Sequence, residues 1–139
     1  MAKPLIALVA GGTGGHVFPA LAIAETLRNK GFDTLMLTDR RGARLIPDAG
    51  RMVLPAESPF QRNILHRLRA MAALGVATVA TIFLIARRRP RVMIGFGGYA
   101  AFAPLLAARL TATPALLHEQ NAFLGRATRM LARWTGHLA

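Results

Sequence analysis

The hydrophobic and polar positions of this chain fall into two alternating patterns. Short, continuous apolar runs of strand length are followed by longer segments whose apolar residues recur at helical spacing. The continuous runs are typical of parallel strands that are buried on both faces. The pattern predicts strands over residues 4–10, 32–39, 51–56, 91–98 and 114–121 and a last one starting at 136–139, and helices over 19–30, 58–89, 99–110 and 123–134.

The alternation of strands and helices predicts an α/β fold, a doubly wound, Rossmann-like parallel sheet with helices on both faces. Ligands of such sheets bind at the carboxyl ends of the strands. Three predicted ends carry glycines or polar residues, namely "GGTGGH", "GFGGY" and "HEQN". No repeat or linker interrupts the pattern, so residues 1–139 are predicted to form one domain, cut from a longer protein.

The first glycine turn joins a strand to a helix N-terminus, where free amides and the helix dipole favour an anion. The dinucleotide-binding fingerprint GxGxxG would need a third glycine at position 17, which is Val17. An acidic residue does follow the second strand, Asp39, but two arginines come directly after it. A nucleotide-dependent oxidoreductase is therefore the weaker alternative. The second turn, Gly95–Tyr99, repeats the chemistry and favours a diphosphate held between two loops. Glycines that only make tight turns remain the structural alternative.

Charge and composition narrow the possible partners. The chain has 18 basic and six acidic residues, a net charge of +12, which suits nucleic acid, anionic lipid or a diphosphate; arginine-rich codon usage is the other explanation. With one Trp and one Tyr, the aromatic interleaving of a nucleic-acid site is lacking, so no specific nucleic-acid partner is predicted. Without cysteines, and with four histidines at no ligand-like spacing, neither a metal site nor a cofactor is predicted.

An apolar stretch without charges, residues 70–86, is bracketed by arginines. It is shorter than the approximately 20 residues of a membrane span, and spanning would break the sheet. It fits either a helix buried against the sheet or a helix with a second face on a bilayer surface. The candidate membrane contacts are Phe60, Ile64, Leu68, Ile82 and Phe83, with Arg87 and Arg88 on lipid phosphates.

Three segments, "GGTGGHVFPALAIAETL", "IGFGGYAAFAP" and "LHEQNAFLGRATR", together resemble the MurG family of cell-wall glycosyltransferases. The resemblance implies transfer of N-acetylglucosamine from UDP-N-acetylglucosamine to lipid I, the polyprenyl-diphosphate-linked muramyl-pentapeptide, in peptidoglycan synthesis. It implies a two-domain GT-B fold of which this chain is the N-terminal, acceptor-binding half, without the C-terminal half that holds most of the nucleotide. It also favours peripheral attachment to the cytoplasmic face of the bacterial inner membrane, and no metal.

The resemblance also implies roles for individual residues. The family's loop that meets the donor corresponds to Thr13, Gly14 and Gly15, and its second glycine turn corresponds to Gly97 and Gly98. By the same resemblance, Tyr99 lies on the acceptor side and Asn121 contacts the donor. His16 is implicated in catalysis, either as the base that takes the acceptor's proton or as a donor to the departing diphosphate; a helix cap is its structural alternative. Glu119 is a second candidate for the base, or it has a structural role and hydrogen-bonds neighbouring amides of its loop.

Overall fold

The computed structural model describes residues 2–133, Thr135 and the backbone of residues 137–138. Its six-stranded sheet has the order β3-β2-β1-β4-β5-β6, and every neighbouring pair is parallel. This is the doubly wound, Rossmann-like arrangement that the sequence predicts, which is thereby confirmed. The strands are β1 (Leu5–Val9), β2 (Asp33–Thr38), β3 (Arg51–Val53), β4 (Val92–Gly95), β5 (Ala115–Leu117) and β6 (His137–Leu138). Gly136 and Ala139 of the last predicted strand lie outside the described residues.

Four helices accompany the strands: α1 (Gly14–Asn29), α2 (Ile64–Arg88), α3 (Phe102–Leu110) and α4 (Arg126–Ala132). Helix α1 begins five residues before the predicted start, so Pro19 lies inside the helix instead of opening it. Helix α2 begins six residues later than predicted, because Asn63 caps it by accepting a hydrogen bond from the Leu65 amide (2.8 Å). Trp134, in the last predicted helix, lies outside the described residues.

Side chains alternate between the two faces of β1 and build a core on each. Leu5, Ala7 and Val9 face the cluster that includes α2 and α3, and Ile6 and Leu8 face the cluster formed with α1. All five are buried. Because both faces are covered, the strand is apolar without interruption, and its polar chemistry is confined to the turn at its carboxyl end.

Helix α2 has one buried and one exposed face. Ala77, Thr78, Thr81 and Ile85 are buried, and the two threonine hydroxyls donate to carbonyls four residues earlier. By length and composition alone α2 could cross a membrane, and among the described residues it is the one helix that is long and apolar enough. In this fold, however, its buried face is part of the domain core.

One of the predicted membrane contacts is less exposed than the others. Ile82 is half-buried and packs against the core, because it lies four residues after Thr78 and three before Ile85, which are both buried. The other predicted contacts are exposed: Phe60, Ile64, Leu68, Phe83, Arg87 and Arg88.

Candidate functional site

The glycine turn after β1 is fixed by Asp39 at the end of β2. One carboxylate oxygen of Asp39, Oδ1, accepts hydrogen bonds from the amides of Gly12 (3.0 Å) and Gly42 (2.8 Å). Gly12 has a φ of +79°, which favours glycine, and a Cβ at Gly11 would lie 2.6 Å from that of Ala100. Asp39 occupies the position that would bind a ribose in a dinucleotide fold, and here it instead holds the glycine turn after β1 in place.

Helix α1 starts directly after this turn. Thr13 is its N-cap residue, but its hydroxyl makes no capping hydrogen bond and its side chain is exposed. Gly14 and Gly15 occupy the first helical turn, where backbone amides have no partner within the helix. The amides of Gly14 and Gly15 and the exposed Thr13 side chain therefore lie at the positive end of a 16-residue helix, where an anion is favoured.

His16, in the same first turn, packs against the second glycine turn. Gly97 and Gly98 have φ values of +86° and +76°, and a Cβ on either would lie 3.4 Å from a carbon of the His16 ring. The second turn therefore needs glycine for its conformation and for the close approach of the imidazole. The two predicted glycine turns are therefore neighbours in space, with His16 between them.

A residue that the sequence analysis missed, Gln120, holds the other side of the imidazole. Its Nε2 atom donates to the Gly15 carbonyl (2.8 Å) and lies 2.9 Å from His16 Nδ1. The Gly15 carbonyl is available because the residue four positions later is Pro19, which has no amide hydrogen to donate to it. Pro19 inside α1 is the sequence signal that could have pointed to such a partner.

This contact determines the tautomer of neutral His16. An amide nitrogen can only donate, so Nδ1 must accept, and the ring proton resides on Nε2. In that form Nε2 is a hydrogen-bond donor, suited to an oxygen that carries negative charge. It has no lone pair with which to take a proton from a hydroxyl.

Glu119 ties its own loop together. Its Oε1 accepts from the Asn121 amide (2.9 Å) and side chain (2.7 Å), and its Oε2 accepts from the Thr128 hydroxyl (2.8 Å). Burial raises the pKa of Glu119, but these hydrogen bonds and the nearby His16 outweigh it and lower the pKa below its usual value. A carboxylate that is stabilised in its charged form is a weak base. The hydrogen bonds to Asn121 and Thr128 fit the structural role of holding the loop together.

Two open cavities meet at His16. The first, which we call the glycine crevice, has about 480 Å³ and is lined by residues that include Gly11, Gly12, Thr13, Asp39 and Arg41. The second, the Asn121 crevice, has about 240 Å³ and includes Glu119, Asn121 and Arg126. Both share a boundary formed by His16, Gly98 and Tyr99.

The predicted site residues are thus largely brought together, but three of them, Gly14, Gly15 and Gly97, line neither crevice. Gly14 and Gly15 lie beside the site at the start of α1, and Gly97 lies behind the His16 ring. His118, next to the loop, packs edge-on against Phe96 with ring centroids 5.4 Å apart, as a core histidine does. Among the described residues, no cluster of three His, Asp or Glu side chains could hold a metal ion.

Comparison with known proteins identifies the family of this chain. Residues 6–138 match the family model of the glycosyltransferase family 28 N-terminal domain. The chain is 44% identical, over 96% of its length, to a protein of Methylobacterium nodulans and 45% identical, over 98%, to one of Paramagnetospirillum magneticum. Both are named UDP-N-acetylglucosamine--N-acetylmuramyl-(pentapeptide) pyrophosphoryl-undecaprenol N-acetylglucosamine transferase.

A solved structure, the crystal structure of Acinetobacter baumannii MurG, superposes with a TM-score of 0.83 at 31% identity, over 98% of this chain and 40% of that one. The chain spans 36% and 37% of the length of the two curated relatives. It therefore corresponds to somewhat more than a third of each of these proteins.

Proposed function

This chain belongs to the family of glycosyltransferase family 28 N-terminal domains, and from that premise we propose that it is the acceptor-binding part of an inverting N-acetylglucosaminyltransferase. The reaction proposed is transfer of N-acetylglucosamine from UDP-N-acetylglucosamine to undecaprenyl-diphosphate-muramyl-pentapeptide, a step of peptidoglycan synthesis and hence of cell-wall growth, cell shape and division. The names of the relatives support both substrates. The family match leaves the oxidoreductase alternative without support.

The observation that carries the proposal is the pair of crevices that share His16. The glycine crevice offers the Thr13 hydroxyl and Arg41, which suit a diphosphate. Its Gly12 amide donates to Asp39 Oδ1, which also accepts from the Gly42 amide and is thereby partly neutralised. The Asn121 crevice offers an amide side chain for sugar hydroxyls or an acetamide group. We assign the acceptor's diphosphate to the first and the transferred sugar to the second. In this assignment Thr13 faces the acceptor, whereas the resemblance implied a contact with the donor.

Between the two crevices, His16 would serve as a donor to the departing diphosphate. When the acceptor hydroxyl attacks the anomeric carbon, negative charge develops on the leaving oxygen, and a preorganised N–H stabilises it. The Nε2–H tautomer selected by Gln120 favours this role over that of the base. The amides of Gly14 and Gly15, at the exposed start of α1, would add to the same positive field.

We further propose that the exposed face of α2 rests on the cytoplasmic leaflet of the inner membrane, where a polyprenyl-linked acceptor is found. Phe60, Ile64, Leu68 and Phe83 are between 45% and 66% exposed. Leu65, Met71, Val76 and Val79 on α2 are exposed as well, which extends the predicted surface. Arg87 and Arg88 end the helix and suit lipid phosphates.

Calorimetric binding of a soluble, short-chain acceptor analogue tests the proposed site. A methyl in the glycine crevice would hinder the approach of the diphosphate to the backbone. Gly12→Ala is therefore expected to lower the affinity at least about tenfold, because a displaced diphosphate would lose a charge-assisted hydrogen bond from Thr13 or Arg41.

Gly31→Ala is the matched control. Both glycines have positive φ (+79° and +88°) and nothing within 4 Å of an added Cβ, so both substitutions bring similar backbone strain. Gly31 lies at the end of α1, outside the crevice. Equal affinities of the two variants would move the diphosphate away from this crevice, and failure of the unaltered chain to bind the analogue would reject the acceptor-binding function.

A further inference from the structure

A third cavity, which we call the Tyr99 cavity, lies next to the glycine crevice and differs from it in chemistry. It has about 160 Å³, and its walls are largely apolar, with Pro55, Leu74, Phe102 and Met130 among them. Glu57 is the charged residue of its lining and pairs with Arg69 at 2.8 Å. Such a cavity suits an apolar group and offers few partners to water.

The two cavities are adjacent. The residues that line both of them are Ala56, Glu57, Tyr99 and Ala100. The Tyr99 ring is held at this boundary, stacked on Phe102 with 6.2 Å between ring centroids and inclined to Phe60 at 6.3 Å. A ligand that fills both cavities must therefore be polar at one end and apolar immediately beyond it.

The Tyr99 cavity also reaches the exposed face of α2. Met71 lines it and is 59% exposed, and Leu68, one helical turn earlier on the same face, is exposed to the same degree. An apolar chain that leaves the cavity past Met71 would continue along the surface assigned to the bilayer. The order along this path is thus diphosphate crevice, apolar cavity, apolar helix face.

We propose that the Tyr99 cavity binds the first isoprenoid unit of the acceptor's polyprenyl chain, the unit bonded to the diphosphate. This inference rests on the proposed function, which puts that diphosphate in the glycine crevice. A cavity of about 150 Å³ accepts benzene, with six carbons, so about 160 Å³ matches one five-carbon unit. The site would select lipid-linked acceptors over sugar diphosphates that carry a polar group at the same position.

Two soluble acceptor analogues test the proposal, with the same sugar, peptide and diphosphate but either a methyl or a ten-carbon isoprenoid group. Their affinities are measured by calorimetry below the micelle concentration and without a membrane. The unaltered chain is expected to bind the isoprenoid analogue at least about tenfold more tightly, as the burial of a Val- or Leu-sized group implies.

Ala70→Leu fills the cavity, because Ala70 lines it and is buried. This variant is expected to reduce the preference to less than about threefold and to leave binding of the methyl analogue unchanged. Ala72→Leu is the matched control, the same substitution at an exposed position of α2 outside the cavity, and should keep the preference. Met71→Gln, at the exposed rim, repeats the test without disturbing the core.

Several outcomes would overturn the inference. One is equal affinity of the unaltered chain for both analogues, which would leave the cavity to another occupant, such as an apolar side chain of a longer protein. Another is a preference for the isoprenoid analogue that survives in both Ala70→Leu and Met71→Gln. An equal loss in Ala70→Leu and Ala72→Leu would assign the effect to the helix surface. If neither analogue binds, the proposed function fails first and this inference with it.

Discussion

His16 is held on two sides by residues whose chemistry is complementary to its own. Gly97 and Gly98 leave room for the ring, and Gln120 donates to Nδ1 while its other hydrogen bond goes to the Gly15 carbonyl. Because that second bond fixes the orientation of the amide, Gln120 cannot rotate to offer its oxygen without losing it. The donor form of His16 is therefore a consequence of Pro19, Gly15 and Gln120 together.

The tautomer can be measured directly from the ¹⁵N shifts of the histidine rings at a pH where His16 is neutral. The unaltered chain is expected to carry the proton on Nε2. Gln120→Glu replaces the donor with an acceptor and should move the His16 proton to Nδ1.

His118 serves as the internal control for that experiment, since its ring packs against Phe96. Its shifts should not change in Gln120→Glu. A proton on His16 Nδ1 in the unaltered chain would contradict the donor role and restore the base interpretation.

At the scale of secondary-structure elements, α2 has one face that packs against the domain core and another that is exposed. Its inward face carries small and β-branched residues such as Ala77, Thr78 and Thr81, which pack against the domain. Its outward face carries Leu68, Val76 and Phe83, each more than half exposed. Exposed apolar residues in such a continuous row mark an interaction surface.

Phe83→Gln should weaken binding to vesicles that contain anionic lipid. A large aromatic side chain moved from water into the interface contributes of the order of 1.5–3 kcal/mol, so the affinity should fall about tenfold or more. Vesicle co-sedimentation at fixed salt measures the change.

Leu110→Gln is the control for this prediction, because Leu110 is 64% exposed but lies on α3. It should leave vesicle binding nearly unchanged. Equal losses in the two variants would argue that the chain has no specific membrane face.

For the whole molecule, the net charge and the partial length matter most. A charge of +12 attracts anionic surfaces and nucleic acids alike, with affinities that fall as salt rises. The chain spans little more than a third of the length of its two curated relatives. Both crevices described here are open to solvent.

The 139-residue chain is therefore expected to form no product when it is given both substrates. The physical reason is that a transition state needs groups placed around the whole donor sugar. A radiolabelled transfer assay measures this, and turnover by the chain alone would disprove the two-domain requirement.

The sequence by itself determined the parallel α/β fold, because short apolar runs that alternate with helical segments are typical of a parallel sheet covered on both faces. It also indicated where a candidate site lies, since the carboxyl ends of adjacent parallel strands share one edge. Most of the predicted residues, including His16 and Asn121, line the two crevices found there.

Only the tertiary structure decided which partners these residues have. Gln120 and Gly15 are 105 positions apart in the chain, and Gly12 and Asp39 are 27 apart, so no local pattern links them. The inward position of Ile82 and the start of α1 before Pro19 likewise depend on packing and on hydrogen bonds from distant elements. Local periodicity records which residues are apolar, whereas long-range contacts decide what each polar group donates to and accepts from.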